Sequence, residues 1–314
     1  MLFGTSSALK PLMEKKVIIV AGATASGKSA LGLEIAERTN GVIINCDSMQ
    51  IYKELPIVTA QPQPEEMAGI EHRLYGALPG STACSVGLWR ELAIKEIELV
   101  FSQSKQPIIL GGTGFYIRAL MEGLSKIPDV PKDVRQEATE RYDERGPDGL
   151  VADIAVVSPD TAAQLRQNDR QRIIRAWEVY LATGKGLSEW QKENPPEVTE
   201  GYSFQSVLLS PDRAELYQRC DQRFAMMAQN GAIEEVETLV ALGLDPSLPV
   251  LRAIGVPEIR GFIEGTMEFD QMVAMAQQST RRYAKRQLTW LRNQMEFEII
   301  LQNKDQFKNL VLSI

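Results

Sequence analysis

Gly22-Ala23-Thr24-Ala25-Ser26-Gly27-Lys28-Ser29 follows the β-branched run Val17-Ile18-Ile19-Val20 and opens a segment with Leu31 and Ile35 on one helical face. The eight residues match G-x-x-x-x-G-K-[ST], and the flanks supply the context that pattern requires, a buried strand before it and a helix after it. Its glycines let main-chain N–H groups turn inward on an anion, and the helix N-terminus adds partial positive charge. Lys28 supplies a full charge, and the Ser29 hydroxyl stands where such a loop ligates Mg²⁺. The stretch predicts a di- or triphosphate site without saying which ligand fills it.

Working outward, Val42-Ile43-Ile44 forms a second buried-type strand ending at Asp47. A helical pattern runs from Leu88 to Gln103, and Pro107-Ile108-Ile109-Leu110 enters Gly111-Gly112 as a third strand. Continuously apolar strands suit a parallel sheet covered on both faces. Strands alternating with helices therefore predict an α/β fold, a P-loop doubly wound parallel sheet with ligands at the carboxyl ends of its strands. From 125 to 196 the chain turns charged and helical, bounded by Ile127-Pro128 and Asn194-Pro195-Pro196. It is expected to be an inserted helical subdomain, with 1–124 and 197–314 as the catalytic core. Val207-Leu208-Leu209 returns to the sheet, two helical stretches follow (Arg213 to Leu242 and Asp270 to Phe297), and the last dozen residues carry little signal.

Composition narrows the function. The 314 residues are 44% hydrophobic and 24% charged, ordinary globular usage that excludes wholesale disorder. With 34 basic and 41 acidic side chains the net charge is −7, so any polyanion site must be a local patch. Cys46, Cys84 and Cys220 are scattered, which excludes a disulfide scaffold and the usual zinc spacing and fits a reducing compartment. The single histidine, His72, excludes histidine metal clusters and two-histidine catalysis. No apolar run approaches the ~18 residues of a membrane span. Residues 1–16 lack a signal-peptide pattern. A cytoplasmic protein with no membrane association is expected.

The usual equipment of a nucleotide hydrolase is missing. No N-K-x-D is present: Asn303-Lys304-Asp305-Gln306 lacks the fourth-position aspartate and follows no good strand by pattern, and no D-x-x-G switch follows a strand. The strand-terminal Asp47 reads as a magnesium aspartate, as a base facing an acceptor, or as a simple turn cap.

Four further segments bear on that choice: Asp47-Ser48-x-x-Ile51-Tyr52, Thr59-Ala60-x-Pro62, Gly111-Gly112-Thr113-x-x-Tyr116 and Arg282-Tyr283-Ala284-Lys285-Arg286-Gln287-x-Thr289-Trp290-Leu291-Arg292. With the phosphate loop, in this order and spacing, they resemble the tRNA dimethylallyltransferase (tRNA isopentenyltransferase) family of the short bacterial type, which has no C-terminal zinc finger. The likeness spans about residues 17 to 293.

That resemblance implies transfer of a five-carbon group from dimethylallyl diphosphate, with Mg²⁺, to the exocyclic amine of adenosine 37 in tRNAs reading codons that begin with U. The loop then holds a leaving diphosphate, which explains why no water-activating residue is present. Allylic C–O cleavage builds negative charge that Thr24, Ser26, Lys28, Ser29 and the metal are expected to stabilise. The acceptor nitrogen has its lone pair delocalised into the ring and needs a proton acceptor, for which Asp47 is the expected general base. Thr113 and Arg223 are carried over from the resemblance as further site residues, Arg223 toward the diphosphate.

The resemblance also assigns tRNA contacts to Asp47, Ser48, Met49, Gln50, Thr113, Arg135 and Gln171-Arg172-Ile173-Ile174-Arg175. Near the end, Arg281 with Lys285 and Arg282 with Arg286 fall four apart as a basic helical ridge. A monomer is expected. His72 is read as structural and Cys46 as packing. Three departures stand out: Ala23 replaces a usual proline, Gln61 replaces a usual lysine, and Val256-Pro257 interrupts a Gly-Tyr-x-Glu pattern after Gly255. The competing readings are a small-molecule P-loop kinase using Asp47 on a hydroxyl, a prenyltransferase for free adenine nucleotides, and a nucleotide-gated binding module. The arginine-bearing insert disfavours the second of these, and the missing switch motifs disfavour the third.

Overall fold

The computed structural model describes residues 15–199 and 201–309, so residues 1–14 of the stretch read for a signal sequence and residues 310–314 lie outside the described part. Six strands form one sheet: β1 (Lys15–Gly22), β2 (Gly41–Cys46), β3 (His72–Arg73), β4 (Gln106–Gly111), β5 (Tyr202–Leu209) and β6 (Ile299–Leu301). Their order is β3-β2-β4-β1-β5-β6, and every pairing is parallel. The chain leaves β1 toward one edge of the sheet for β2 and later crosses to its other side for β5. The carboxyl end of β1, where the phosphate loop begins, is therefore the switch point at which such sheets bind ligands.

The apolar run of β1 serves two cores. Val17, Ile19 and Ala21 join one buried cluster, while Ile18 and Val20 join a second with Leu31, Ile35 and Ala36 of α1 (Lys28–Thr39). Period-two alternation explains the division, since successive side chains leave opposite faces of the pleat. The first cluster is covered by α2 (Val86–Ser102) and α3 (Gly114–Glu122). Within it Trp89 stacks on Tyr116 at 4.8 Å and donates from Nε1 to the Asn45 carbonyl at 3.0 Å, which ties α2 to the end of β2.

The chain divides into two compact units, Glu122–Thr199 and the remainder. The smaller contains α4 (Lys132–Val157), α5 (Pro159–Ala162), α6 (Arg170–Thr183) and α7 (Leu187–Glu193). Its core is small, built on Leu150, Ile154, Ile173 and Ala176. The span of α4 contains a kink at Gly146-Pro147, where Gly146 adopts φ 67° and ψ 173°.

In the sheet-bearing unit the long helix expected from Arg213 to Leu242 is two, α8 (Arg213–Gln229) and α9 (Ala232–Ala241). Gly231, at φ 97°, breaks the run in a backbone conformation open to glycine but not to most residues. The helices α10 (Val256–Ile263) and α11 (Phe269–Gln294) follow. Val256-Pro257, the departure from the Gly-Tyr-x-Glu pattern, begins α10, where proline in a first helical turn loses no intrahelical bond. Two strands escaped the sequence reading. β3 has only two residues, and β6 is formed by Ile299–Leu301 pairing with Val207–Leu209. Asn303-Lys304-Asp305 therefore does follow a strand, contrary to the pattern reading.

Candidate active site

The phosphate loop keeps its backbone from Gly22 to Ser29 between β1 and α1, with Gly27 at φ 91° immediately before the helix. The amides of Lys28 and Ser29 stand where helical N–H groups have no intrahelical acceptor. The Lys28 ammonium is folded back onto the Ala23 carbonyl at 3.3 Å. Burial pulls its pKa down to about 8, Arg223 adds to that, and Asp47 opposes it. Ser29 is exposed at the first turn of α1 and lines the cleft. The Ser26 hydroxyl departs from expectation: it is buried, without a hydrogen-bond partner among the described residues. Ser26 nonetheless lines the cleft along the loop, its N–H donating to the Ala23 carbonyl at 3.2 Å and its own carbonyl accepting from Arg219 at 3.4 Å.

Two cavities share Thr24, Asp47, Thr59, Arg223 and Met227 in their walls. The larger, about 1070 Å³, runs along residues 24–30 of the loop and past Gln61, His72, Tyr75, Arg219 and Asn303-Lys304-Asp305. The smaller, about 230 Å³, is lined by apolar Met49, Val58, Phe224 and Ile254 and by Arg252, Tyr283 and Arg286. One cavity is thus built around an anion site and the other is mainly greasy, with guanidinium groups in its wall.

Asp47 lies between them. Its Oδ1 accepts from the Met49 and Gln50 N–H groups at 2.9 and 3.3 Å, so the turn-cap reading is realised without removing the side chain from the cavity wall. Arg223 of α8 is half-buried and donates from Nη2 to Thr24 Oγ1. Burial lowers its pKa, with Asp47 and Cys220 opposing. Thr113 differs from expectation, because it lines neither cavity. Its Oγ1 accepts from the Ser48 N–H at 3.1 Å, and its side chain is hydrogen-bonded to Tyr283. Thr113 is a bracket holding the Asp47 turn to α11. Ser48 and Met49 line the smaller cavity and Gln50 the larger, where its Nε2 donates to the Thr59 and Ala60 carbonyls at 2.9 and 2.7 Å.

The residues expected to touch RNA divide in two. Ile173 and Ile174 are buried, Ile173 in the core of the helical unit, so their side chains cannot contact a polyanion. Apolar residues within a basic stretch mark the inner face of α6. Gln171 and Arg172 are exposed, and Arg172 pairs with Asp169 at 3.3 Å. Arg135 and Arg175 share the buried Glu178, at 3.3 and 3.1 Å. On α11, Arg281 is tied to Asp221, Arg282 and Lys285 are exposed, and Arg286 lies over the Tyr283 ring at 5.7 Å.

Other residues emerge only in three dimensions. Arg219, one turn before Arg223 on α8, reaches the Ser26 carbonyl at 3.4 Å; its four-residue spacing from Arg223 was the available signal. Glu235 of α9 accepts from the Ile57 and Val58 N–H groups at 2.7 and 2.8 Å and so holds the loop that carries Thr59. Tyr283, quoted only as part of a motif, lies in the cavity wall, and burial beside Asp47 raises its pKa. His72 Nδ1 is 2.9 Å from the Ile70 carbonyl, and the residue also lines the larger cavity. Among the described residues no cluster of His, Cys, Asp or Glu forms a metal cage, and no helix is long and apolar enough to cross a membrane.

The chain matches the IPP transferase family model over residues 50–294 and the isopentenyl transferase model over residues 15–78. It is 49% identical over 282 residues to a tRNA dimethylallyltransferase of Granulibacter bethesdensis, covering 90% of this chain and 88% of that one. A tRNA isopentenylpyrophosphate transferase structure from Staphylococcus epidermidis is similar at a TM-score of 0.64 and 34% identity, over 93% of this chain and 94% of that one. A eukaryotic dimethylallyltransferase acting on tRNA is similar at a TM-score of 0.75 and 28% identity, over 88% of this chain and 70% of the other.

Proposed function

Since the chain belongs to the IPP transferase family and is a tRNA dimethylallyltransferase by its relatives, we propose that it moves the dimethylallyl group of dimethylallyl diphosphate onto the exocyclic amine of adenosine 37 in tRNAs reading codons that begin with U. The observation that carries this reading is the shared wall of the two cavities, where Thr24, Asp47 and Arg223 face both the phosphate loop and the smaller apolar space. A diphosphate on the loop directs its allylic carbon toward that wall, and an adenine taken out of its stack approaches from the other side.

In the reaction the allylic C–O bond breaks as the C–N bond forms, and the bonding electrons leave with the diphosphate. Lys28, Arg223 and the amides at the start of α1 bind the departing negative charge, a stabilisation that grows as the bond lengthens. Asp47 takes the proton released by the amine. Fixing both reactants at one wall supplies proximity, the other large contribution.

The donor set suits Mg²⁺, a hard ion that keeps waters and binds substrate phosphates through few protein ligands. Ser29 is the side chain that would hold it, and it would supply neutralisation of the diphosphate charge. The exposed Gln171, Arg172, Arg282 and Lys285 are the proposed phosphate contacts, and the helical unit is the proposed tRNA-binding subdomain. The reading extends to a monomeric, cytoplasmic enzyme, the monomer being checked by sedimentation.

Incubation with Mg²⁺, labelled dimethylallyl diphosphate and either unmodified tRNA or AMP tests the proposal. Label is expected in tRNA, at the adenosine beside the anticodon. Label in AMP alone, or ATP turnover without prenyl transfer, overturns it.

A further inference from the structure

Gln287 lines neither of the two cavities described above, yet its buried amide joins two loops at the carboxyl ends of adjacent strands. Its Oε1 accepts from the Thr24 N–H at 2.8 Å, and its Nε2 donates to the Gly112 carbonyl at 3.0 Å. Both partners are main-chain groups of fixed polarity, so the orientation of the amide is unambiguous. The Gly112 position is built for this contact: a Cβ there would lie 2.3 Å from Nε2 and 2.7 Å from the Gly22 carbonyl. Gly112 immediately precedes Thr113, which brackets the Asp47 turn through the Ser48 N–H. Thr24 is held on its other side by Arg223. One primary amide on α11 therefore ties the donor loop to the turn that orients the general base, on the helix that also carries Tyr283 and Arg286.

We propose that Gln287 is a positioning residue, which fixes the distance between the diphosphate loop and the Asp47 turn. The consequence is specific. The Thr24 N–H is committed to Gln287 and not to the ligand, so Thr24 meets the diphosphate through its hydroxyl alone, and loss of Gln287 leaves diphosphate capture largely intact. What is lost is alignment in the transition state, which appears in kcat and not in KM.

This inference rests on the prenyl-transfer reading, and its test separates the two. Gln287→Met keeps much of the side-chain volume and reach but makes neither hydrogen bond, while Gln287→Glu keeps an acceptor for Thr24 and, ionised, loses the donor to Gly112. For Gln287→Met, kcat with tRNA should fall about 30- to 100-fold, the scale of a small misplacement in a preorganised site, with KM for dimethylallyl diphosphate within about threefold. Gln287→Glu should fall between the parent and Gln287→Met. Hydrogen exchange at the Thr24 amide, read on the free protein, should be slow in the parent and fast in Gln287→Met. A kcat within about twofold of the parent, a loss confined to KM, or an unchanged Thr24 exchange rate overturns the proposal. A parent enzyme that transfers no prenyl group sinks the functional reading instead and leaves the exchange measurement to decide the contact.

Discussion

Raising the pH from 7 to 9 should weaken capture of dimethylallyl diphosphate about tenfold, through the single ammonium of Lys28. Burial in the loop brings that group to about 8, so in the free protein it is charged below that pH and neutral above it. The ligand's own last ionisation lies near pH 6, as for other phosphate monoesters, so its charge is constant across the window. Two phosphates on the loop favour the charged lysine, and the complex stays protonated where the free protein does not. The apparent Kd then grows as one plus ten to the power (pH − 8): roughly 1.1 at pH 7, 2 at pH 8 and 11 at pH 9 relative to the fully protonated limit. Binding at pH 8 should draw in about half a proton.

Calorimetric titration with dimethylallyl diphosphate in two buffers of different ionisation enthalpy measures both quantities at once. Asp47→Asn adds a second handle. The Asp47 carboxylate raises the Lys28 pKa, so removing its charge should move the weakening to lower pH. A flat Kd from pH 7 to 9 with no proton uptake would falsify the reasoning, and an unmoved profile in Asp47→Asn would place that carboxylate outside the field of the loop.

Asp47→Asn should also cut prenyl transfer by about 10²- to 10⁴-fold, the usual worth of a positioned base, while tRNA affinity holds; normal single-turnover rates would remove it from the chemistry. Gly112→Ala forces a methyl group against the Gln287 amide and the Gly22 carbonyl, and a loss of about 2 kcal/mol or more is expected in denaturant melts. Ile173→Ala opens the small core of the helical unit and should cost about 2–5 kcal/mol by the same assay. The salt dependence of tRNA binding should be unchanged in Ile173→Ala and shallower in Arg172→Ala. Equal slopes in the two variants would mean that Arg172 makes no phosphate contact.

Much of the fold was legible because it is written locally. The buried runs at 17–20, 42–44, 107–110 and 207–209 each lie within an observed parallel strand, since a strand covered on both faces needs uninterrupted apolar residues. The short strands β3 and β6 escaped for the complementary reason: two or three residues carry no periodicity, and their pairing partners are remote in sequence. The break at Gly231 was missed because helical pattern continues on both sides of it. Ile173 and Ile174 were included with their basic neighbours because a run of matching residues does not say which face of a helix it occupies. Burial answers that.

By itself the sequence determined the phosphate loop, whose anion-binding geometry is encoded within eight contiguous residues and their two flanking elements. It also determined the sheet that carries the loop and, through five motifs in register, the family. Only the tertiary structure decided how those motifs work on one another. It placed Arg223 on Thr24 across 199 residues of chain and Gln287 on the same residue across 263. It buried the Ser26 hydroxyl and set Thr113 Oγ1 against the Ser48 N–H, across 65 residues of chain. The physical reason is that a local pattern specifies backbone conformation and apolar faces, whereas hydrogen-bond partners and charge fields depend on which distant elements the packed core brings within a few ångströms.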